Sequence, residues 1–331
     1  MNLKFKKALV TGGAGFIGSH LAEGLLSKGC EVTVFDNLST GRLSNLNQIK
    51  DHITFYNADI RDRETFKKAA STCDVIFHQA AMVSVPRTVD NPIESAMVNE
   101  MGTLFVLEAA RRNNIGQVVL ASSSAVYGDD PVLPKHENMN PKPQSPYAVQ
   151  KLTGEFYASL YCDLYNLNTV TLRYFNVYGP RQDPSSPYSG VISIFMNRAC
   201  SKETPVIYGD GNQYRDFVFV KDVVEANLLA ARVSDAKGSI FNIGSGRFIR
   251  IKRLWEMISE LADINIKPEY EPPRRGDIME SVASIDYAEK TLGFKPEYSF
   301  EEGLKQTFEY YLTTNNHESK NKINVTTNEH K

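Results

Sequence analysis

The chain has 331 residues and a mass of 37.1 kDa, enough for one large domain or two modest ones. Hydrophobic residues make up 42% and charged residues 23%, an ordinary globular balance, and the formal net charge of -2 gives no basic footprint for nucleic acid. An acidic ligand would therefore need local positive charge. Cys30, Cys73, Cys162 and Cys200 are widely spaced with no C-x-x-C pair, which suits reduced thiols. The six histidines show no ligand spacing, so no metal is indicated. The start, MNLKFKKALVTGG, lacks the apolar core of a signal peptide, and no apolar run approaches the ~18 to 20 residues of a membrane span. A cytoplasmic protein without membrane or nucleic-acid partners is expected.

In chain order, KALVTG, EVTVFD, ITFYNAD, DVIFHQA and QVVLASSS read as strands rich in Val, Ile and Phe. Between them, FIGSHLAEGLLSKG and NPIESAMVNEMGTLFVLEAARRNN carry apolar residues at helical spacing, the second with Asn91 as N-cap and Pro92 at the first helical position. Strand-helix-strand repeats with nearly continuous apolar strands predict an α/β fold, a doubly wound parallel sheet of the Rossmann kind. Residues 1–175 form this dinucleotide-binding domain, and the chain is expected to re-enter it around 215–245, since NTVTLRYF and GSIFNIG read as buried strands. Residues 176–312, with proline-rich loops such as GPRQDPSSPYSG and EPPRRGD, are expected to form mainly a smaller α/β substrate domain. The polar residues 314–331 read as a disordered tail.

The segment TGGAGFIG follows the first strand and opens a helix, with Gly12, Gly15 and Gly18 in G-x-x-G-x-x-G spacing. Glycine there permits a tight turn, close backbone approach to a pyrophosphate and close packing of the helix, whose N-terminus offers N–H donors to the anion. Asp36 ends the second strand, placed to bind both hydroxyls of an adenosine ribose. A carboxylate there repels a 2′-phosphate, which favours NAD over NADP. The plainer alternative is that Asp36 only starts a turn with Asn37. Asp59 and Ile60 end the next strand, where an adenine contact and a plain turn fit about equally.

Tyr147-Ala-Val-Gln-Lys151 opens a predicted helix after Ser145-Pro146, and i, i+4 spacing puts phenol and ammonium on one face. A lysine ~4 Å from a phenolate stabilises it by ~4 kcal/mol at an effective dielectric of about 20. That corresponds to about three pKa units, enough to bring the tyrosine near its working pH. Upstream, QVVLASSSAVYG ends a strand in three hydroxyls.

TGGAGFIGSH, HQAA, SSSAVYG, SPYAVQK, RYFNVYGPRQ, GDGNQYRDFVFVKD and PPRRGDI come in one order and cover nearly the whole chain before the tail. Together they resemble the extended short-chain dehydrogenase/reductases, specifically the nucleotide-sugar 4-epimerases. The resemblance implies catalytic roles for Tyr147, Lys151 and a serine of the Ser122–Ser124 run, with Ser123 as the main hydroxyl and Ser124 beside it facing the sugar, a choice the sequence leaves open. It implies cofactor contacts from Phe16, Ile17, Ala80, Ala81, Asn99 and Tyr174 besides the glycine turn, Asp36 and Asn37. For a UDP-sugar it implies Arg215 and Arg274 at the diphosphate, where a planar guanidinium binds bidentately. Asn176 lies on the diphosphate side, Asp277 near the nucleoside ribose, and Tyr208 near the uracil. Ser84 and Val191 are the remaining implied substrate contacts.

Related 4,6-dehydratases place an Asp-Glu pair after the catalytic hydroxyl, and related decarboxylases keep a glutamate there; this chain has Ser124 and Ala125. Elimination would lack its proton-transfer group, so a UDP-hexose 4-epimerase is expected. Ser281 replaces a bulky tyrosine found in relatives limited to UDP-glucose and UDP-galactose, and Met82–Pro86 resembles the loop of N-acetylhexosamine epimerases. UDP-GlcNAc/UDP-GalNAc is thus the expected pair, with UDP-glucose/UDP-galactose beside it. A UDP-uronic acid epimerase, a dehydratase, decarboxylase or reductase, and a catalytically silent NAD-binding regulator are the rival readings. By the same analogy the chain forms a homodimer through the segments at 92–114 and 146–166.

Overall fold

The computed structural model describes residues 3–184, 190–233, 236–273 and 279–328, with those beyond Thr314 described by their backbone alone. The first strand, β1 (Lys7–Thr11), leads through the glycine turn into α1 (Phe16–Ser27). Next come β2 (Glu31–Asp36), β3 (Ile53–Asn57), α2 (Arg63–Ala70), β4 (Val75–His78), α3 (Val85–Asp90), α4 (Pro92–Ala96) and α5 (Gly102–Arg112). β5 (Gln117–Ser123), α6 (Pro146–Tyr165) and β6 (Thr169–Tyr174) complete this half. After them lie β7 (Asn176–Tyr178), α7 (Val191–Ser201), β8 (Val206–Tyr208), β9 (Tyr214–Arg215), β10 (Phe217–Phe219), α8 (Val220–Ala230) and β11 (Ile240–Ile243). β12 (Ile249–Arg250), α9 (Ile251–Ala262), β13 (Glu269–Glu271), β14 (Glu280–Ser281), α10 (Asp286–Leu292) and α11 (Phe300–Asn328) end the chain.

Seven strands form one parallel sheet in the order β11-β6-β5-β4-β1-β2-β3. Every residue of β4 and β6 is buried, as a strand covered on both faces requires. One face packs on α1 and α8 through Leu21, Leu25, Val223 and Leu228. The other packs on α2, α5 and α6 through Phe66, Val106, Leu107 and Tyr161. Each such large apolar side chain contributes roughly 1.5–3 kcal/mol on burial. A third cluster joins α7, α9 and α11 through Phe195, Leu254, Trp255, Leu304 and Phe308. The chain comes back to the main sheet through α8, which packs on α1, and through the edge strand β11. β7 and β10 instead pair with each other in a separate two-stranded sheet.

Two expectations change here. The single long helix from Pro92 is interrupted by a π-turn at Met97–Met101, and Asn91 stands at its N-cap without a side-chain cap bond. The extra residue of the π-turn buries Asn99, whose amide ties down the loop after β4, a contact that α-helical periodicity does not reveal. The tail expected to be disordered continues α11 as far as Asn328. Leu304, Thr307, Phe308 and Tyr311 bury the first part of that helix, and propagating a helix already nucleated is cheap. Among the described residues no helix is long and apolar enough to cross a membrane.

α6 carries the candidate catalytic residues in its first turn. Its N-cap is Ser145, whose Oγ accepts from the Ala148 amide at 3.2 Å, and Pro146 stands at the first position with φ already preset. Ser145→Ala is expected to lower the unfolding free energy by about 1 kcal/mol in urea titration.

Candidate active site

The glycine turn runs under the carboxyl ends of β1, β2 and β4. Gly12 has φ +65 and its amide donates to the Phe35 carbonyl at 2.8 Å. A Cβ there would stand 2.8 Å from the Ala80 backbone, and one on Gly18 would collide with the Gly12 carbonyl. α1 starts at Phe16 and Ile17 with no side-chain cap and no acidic residue in its first turn, which suits an anion. Ala80 is held by its amide donating to Thr11 Oγ1 at 3.2 Å, and Ala81 follows it in the loop.

Asp36 is 8% exposed, and its carboxylate accepts from the Ala14 amide at 2.9 Å and the Leu38 amide at 2.8 Å. Burial raises its pKa, opposed by those two N–H donors. The turn role and a place at the cofactor edge therefore coincide. Asn37 donates to Asp59 Oδ2 at 2.7 Å, and Asp59 receives Arg61 as a two-pronged partner at 2.7 and 2.9 Å. The Arg61 guanidinium holds the Asp59 carboxyl down to about 2. Its side chain is thus engaged within the protein, and Ile60 is buried against Gly102. Asn99 brackets Met82, accepting from its amide at 2.8 Å and donating to its carbonyl at 3.0 Å and to Gln150 at 2.7 Å.

Ser123 acts on the Tyr147 phenol, lowering it against the upward push of burial. Ser123 also accepts from the Ala125 amide at 3.2 Å, while Ser124 opens the short 3-10 turn Ser124–Tyr127. Lys151 donates to the Ala121 carbonyl at 2.8 Å and its Nζ is 5.8 Å from the Tyr147 ring centroid. The expected lowering of the phenol does not follow from this pair alone. Burial raises Tyr147, opposed by the Ser123 hydrogen bond, and burial lowers Lys151 to about 8, opposed by Glu155. Desolvation, which spacing along the helix does not reveal, dominates both groups.

Tyr174 is buried, its hydroxyl 3.1 Å from Asn227 Oδ1 and 3.1 Å from Gln79 Nε2, and burial pushes it up to about 12. On the substrate side, Asn176 donates through Nδ2 to the Asp216 carbonyl at 2.9 Å. Arg215 Nη1 contacts the Tyr214 and Met279 carbonyls at 3.0 and 3.3 Å. Ser281 is 9% exposed on β14, in parallel register with Arg215 on β9. Tyr208 ends β8, its carbonyl accepting from Gln213 at 2.6 Å, and Val191 opens α7. Ser84 serves as the N-cap of α3. Arg274 and Asp277 lie outside the described residues.

Sequence reasoning missed Gln79, Asn227, Glu155 and Arg173. Only the last two left a signal: Glu155 continues the Tyr147–Lys151 spacing by four, and Arg173 is a charge inside an apolar strand. Gly18→Val should strip the purified protein of NAD, with at least a tenfold fall in co-purified dinucleotide.

Residues 8–244 match the NAD dependent epimerase/dehydratase family. The chain is 41% identical over 309 residues to the UDP-glucose 4-epimerase of Mycolicibacterium smegmatis, covering 92% of this chain and 98% of that one. It is similar to the structure of a UDP-N-acetylglucosamine 4-epimerase from Methanobrevibacter ruminantium in complex with UDP-N-acetylmuramic acid, with TM-score 0.90, 41% identity and 95% and 100% of the two chains covered. A Thermus thermophilus UDP-glucose 4-epimerase complex with NAD aligns with TM-score 0.84 and 38% identity over 92% and 98% of the chains. The open glycine turn, the carboxylate ending β2 and the serine-tyrosine-lysine set agree with these likenesses. The chain belongs to the NAD dependent epimerase/dehydratase family, with the extended short-chain dehydrogenase/reductase fold, and is an NAD-dependent enzyme.

Proposed function

We propose that this enzyme interconverts UDP-hexoses that differ at C4, accepting N-acetylhexosamines as well as plain hexoses. The observation that carries this reading is Lys151 on the first turns of α6, anchored to the Ala121 carbonyl beside Ser123 and Tyr147, followed by a turn, Ser124–Tyr127, that contains no carboxylate. The glycine turn and Asp36 would hold NAD, which would supply reversible hydride acceptance at C4. Tyr147 removes the O4 proton and returns it once the 4-keto sugar has presented its other face. Ser123 holds that oxygen by hydrogen bond, and the Lys151 ammonium favours the phenolate. Arg215, Asn176 and Tyr208 are assigned to the UDP moiety of the substrate.

Purified enzyme incubated with UDP-glucose, UDP-GlcNAc or UDP-glucuronate should return the C4 epimer of at least one, and Tyr147→Phe should cut kcat by at least a hundredfold. A deoxy, keto or pentose product would reject the reading. Turnover is expected to fall as pH rises through about 8, where Lys151 loses its proton.

Support for the wider sugar range comes from Ser281, a small side chain fixed on β14 by its carbonyl accepting from the Asp216 amide at 2.8 Å. Ser281→Tyr should depress kcat/KM for UDP-GlcNAc at least tenfold more than for UDP-glucose; equal loss on both would count against the assignment.

A homodimer is supported by apolar side chains that the sheet leaves uncovered. Ile93 is 80% and Phe156 65% exposed, and Met97, Val149, Leu160 and Leu164 extend the same helices' outer faces.

A further inference from the structure

Two consecutive residues of β5 grip two residues of α6 that are spaced by four. The Ala121 carbonyl accepts from Lys151 and the Ser122 hydroxyl donates to Glu155 at 2.5 Å, while the next residue, Ser123, acts on the Tyr147 phenol. Glu155 is completed by Arg173 on β6: its Oε1 accepts from Nε at 2.9 Å and its Oε2 from Nη2 at 2.6 Å. The two side chains are only 1% and 3% exposed. Arg173 continues outward, donating through Nη1 to Tyr127 at 2.9 Å, with its guanidinium 4.8 Å from that ring's centroid. Tyr127 in turn donates to Asn242 on β11 at 2.7 Å.

A buried ion pair is a poor source of stability, because desolvating two charges costs about as much as their attraction returns. What this pair does give is direction. A bidentate guanidinium–carboxylate contact fixes both planes, and a slip of α6 along the sheet would leave two buried charges unpaired.

We propose that Glu155 is a positioning residue of the reaction, locked by Arg173 and Ser122 so that it sets the register of α6 on β5 and keeps a negative charge one turn from the Lys151 ammonium. The groups packed around this helix leave that task to Glu155. From α5 comes Glu108, which meets Tyr161 farther along the helix and is paired with Arg111 and Arg112. From β4 comes His78, which burial keeps neutral by pushing it down to about 3. From β5 come the hydroxyls of Ser122 and Ser123, and from β6 Arg173, whose charge the carboxylate neutralises, and the protonated Tyr174. Tyr147 shares the helix. Glu155 is the group that opposes the loss of the Lys151 proton on burial.

The inference rests on reading Tyr147 and Lys151 as the reacting pair, and its test separates the two claims. In enzyme carrying isotope-labelled lysine, the Lys151 Cε resonance is identified by its disappearance in Lys151→Met and followed by NMR against pH. This needs no turnover, whereas absence of epimerase activity in the wild-type enzyme would undo only the reading of the reaction. In Glu155→Gln the lysine should titrate about 1 pH unit lower, with the basic limb of the kcat profile falling alongside it and KM changing less than about twofold. Should that variant fail to fold with its unpaired arginine, Glu155→Leu combined with Arg173→Met removes both charges and should still show a downward titration, smaller than in Glu155→Gln because no unpaired cation is left. Lys151 titrating at the wild-type pH in a folded variant overturns the proposal. So does a lowered kcat whose pH profile is unmoved, since the pair would then be structural only.

Discussion

All seven strands of the main sheet run the same way, so their carboxyl ends form a single edge. The candidate site depends on that alignment. Thr11 and His78 are register partners at this edge, and so are Ser123 and Tyr174, while Asp36 ends β2 further along. A buried strand has no room for an unpaired polar side chain along its length, but its end does. Polar chemistry collects where the apolar runs stop. The chain at the Gly12 turn can lie against the Ala80 backbone only because no Cβ intervenes.

Within that edge, burial sets the electrostatics before any pairing does. Tyr147 is pushed up, Lys151 down and His78 far down, each toward its neutral form. Ser123 and the charge of Glu155 work against this tendency at Tyr147 and Lys151. His78 shows the opposite use of burial. Its Nε2 lies 3.1 Å from Thr103 Oγ1, which donates to the Asn99 carbonyl, so the ring must donate there and accept from Thr11 at Nδ1, 2.7 Å away. A neutral histidine thereby ties β1 and β4 to the π-turn.

The strands that carry Arg215 and Ser281 are held by a second buried carboxylate. Asp216 accepts from the Ser245 amide at 2.6 Å and from the Gly246 and Ala283 amides at 3.0 Å each. It joins β9 to the loop after β11 and to the segment following β14. Arg215 and Ser281, far apart in sequence, are neighbours because of it.

The seven strands of the main sheet, the glycine turn, the acid ending β2 and the Tyr147–Lys151 spacing were legible in the chain itself. Each rests on local spacing: period-two and period-3.6 patterns, a turn needing glycine, two residues one helical turn apart. The π-turn at Met97–Met101 was not, because it follows from a tertiary demand that Asn99 face inward. The tertiary structure also parts the adjacent serines, since the backbone leaves β5 for a 3-10 turn just after Ser123. It decided the sign of the shifts at Tyr147 and Lys151, because spacing gives attraction between neighbours but not the desolvation that competes with it. Spacing along one helix determined that phenol and ammonium share a face; only the packed sheet beneath determined what each pays to be charged there.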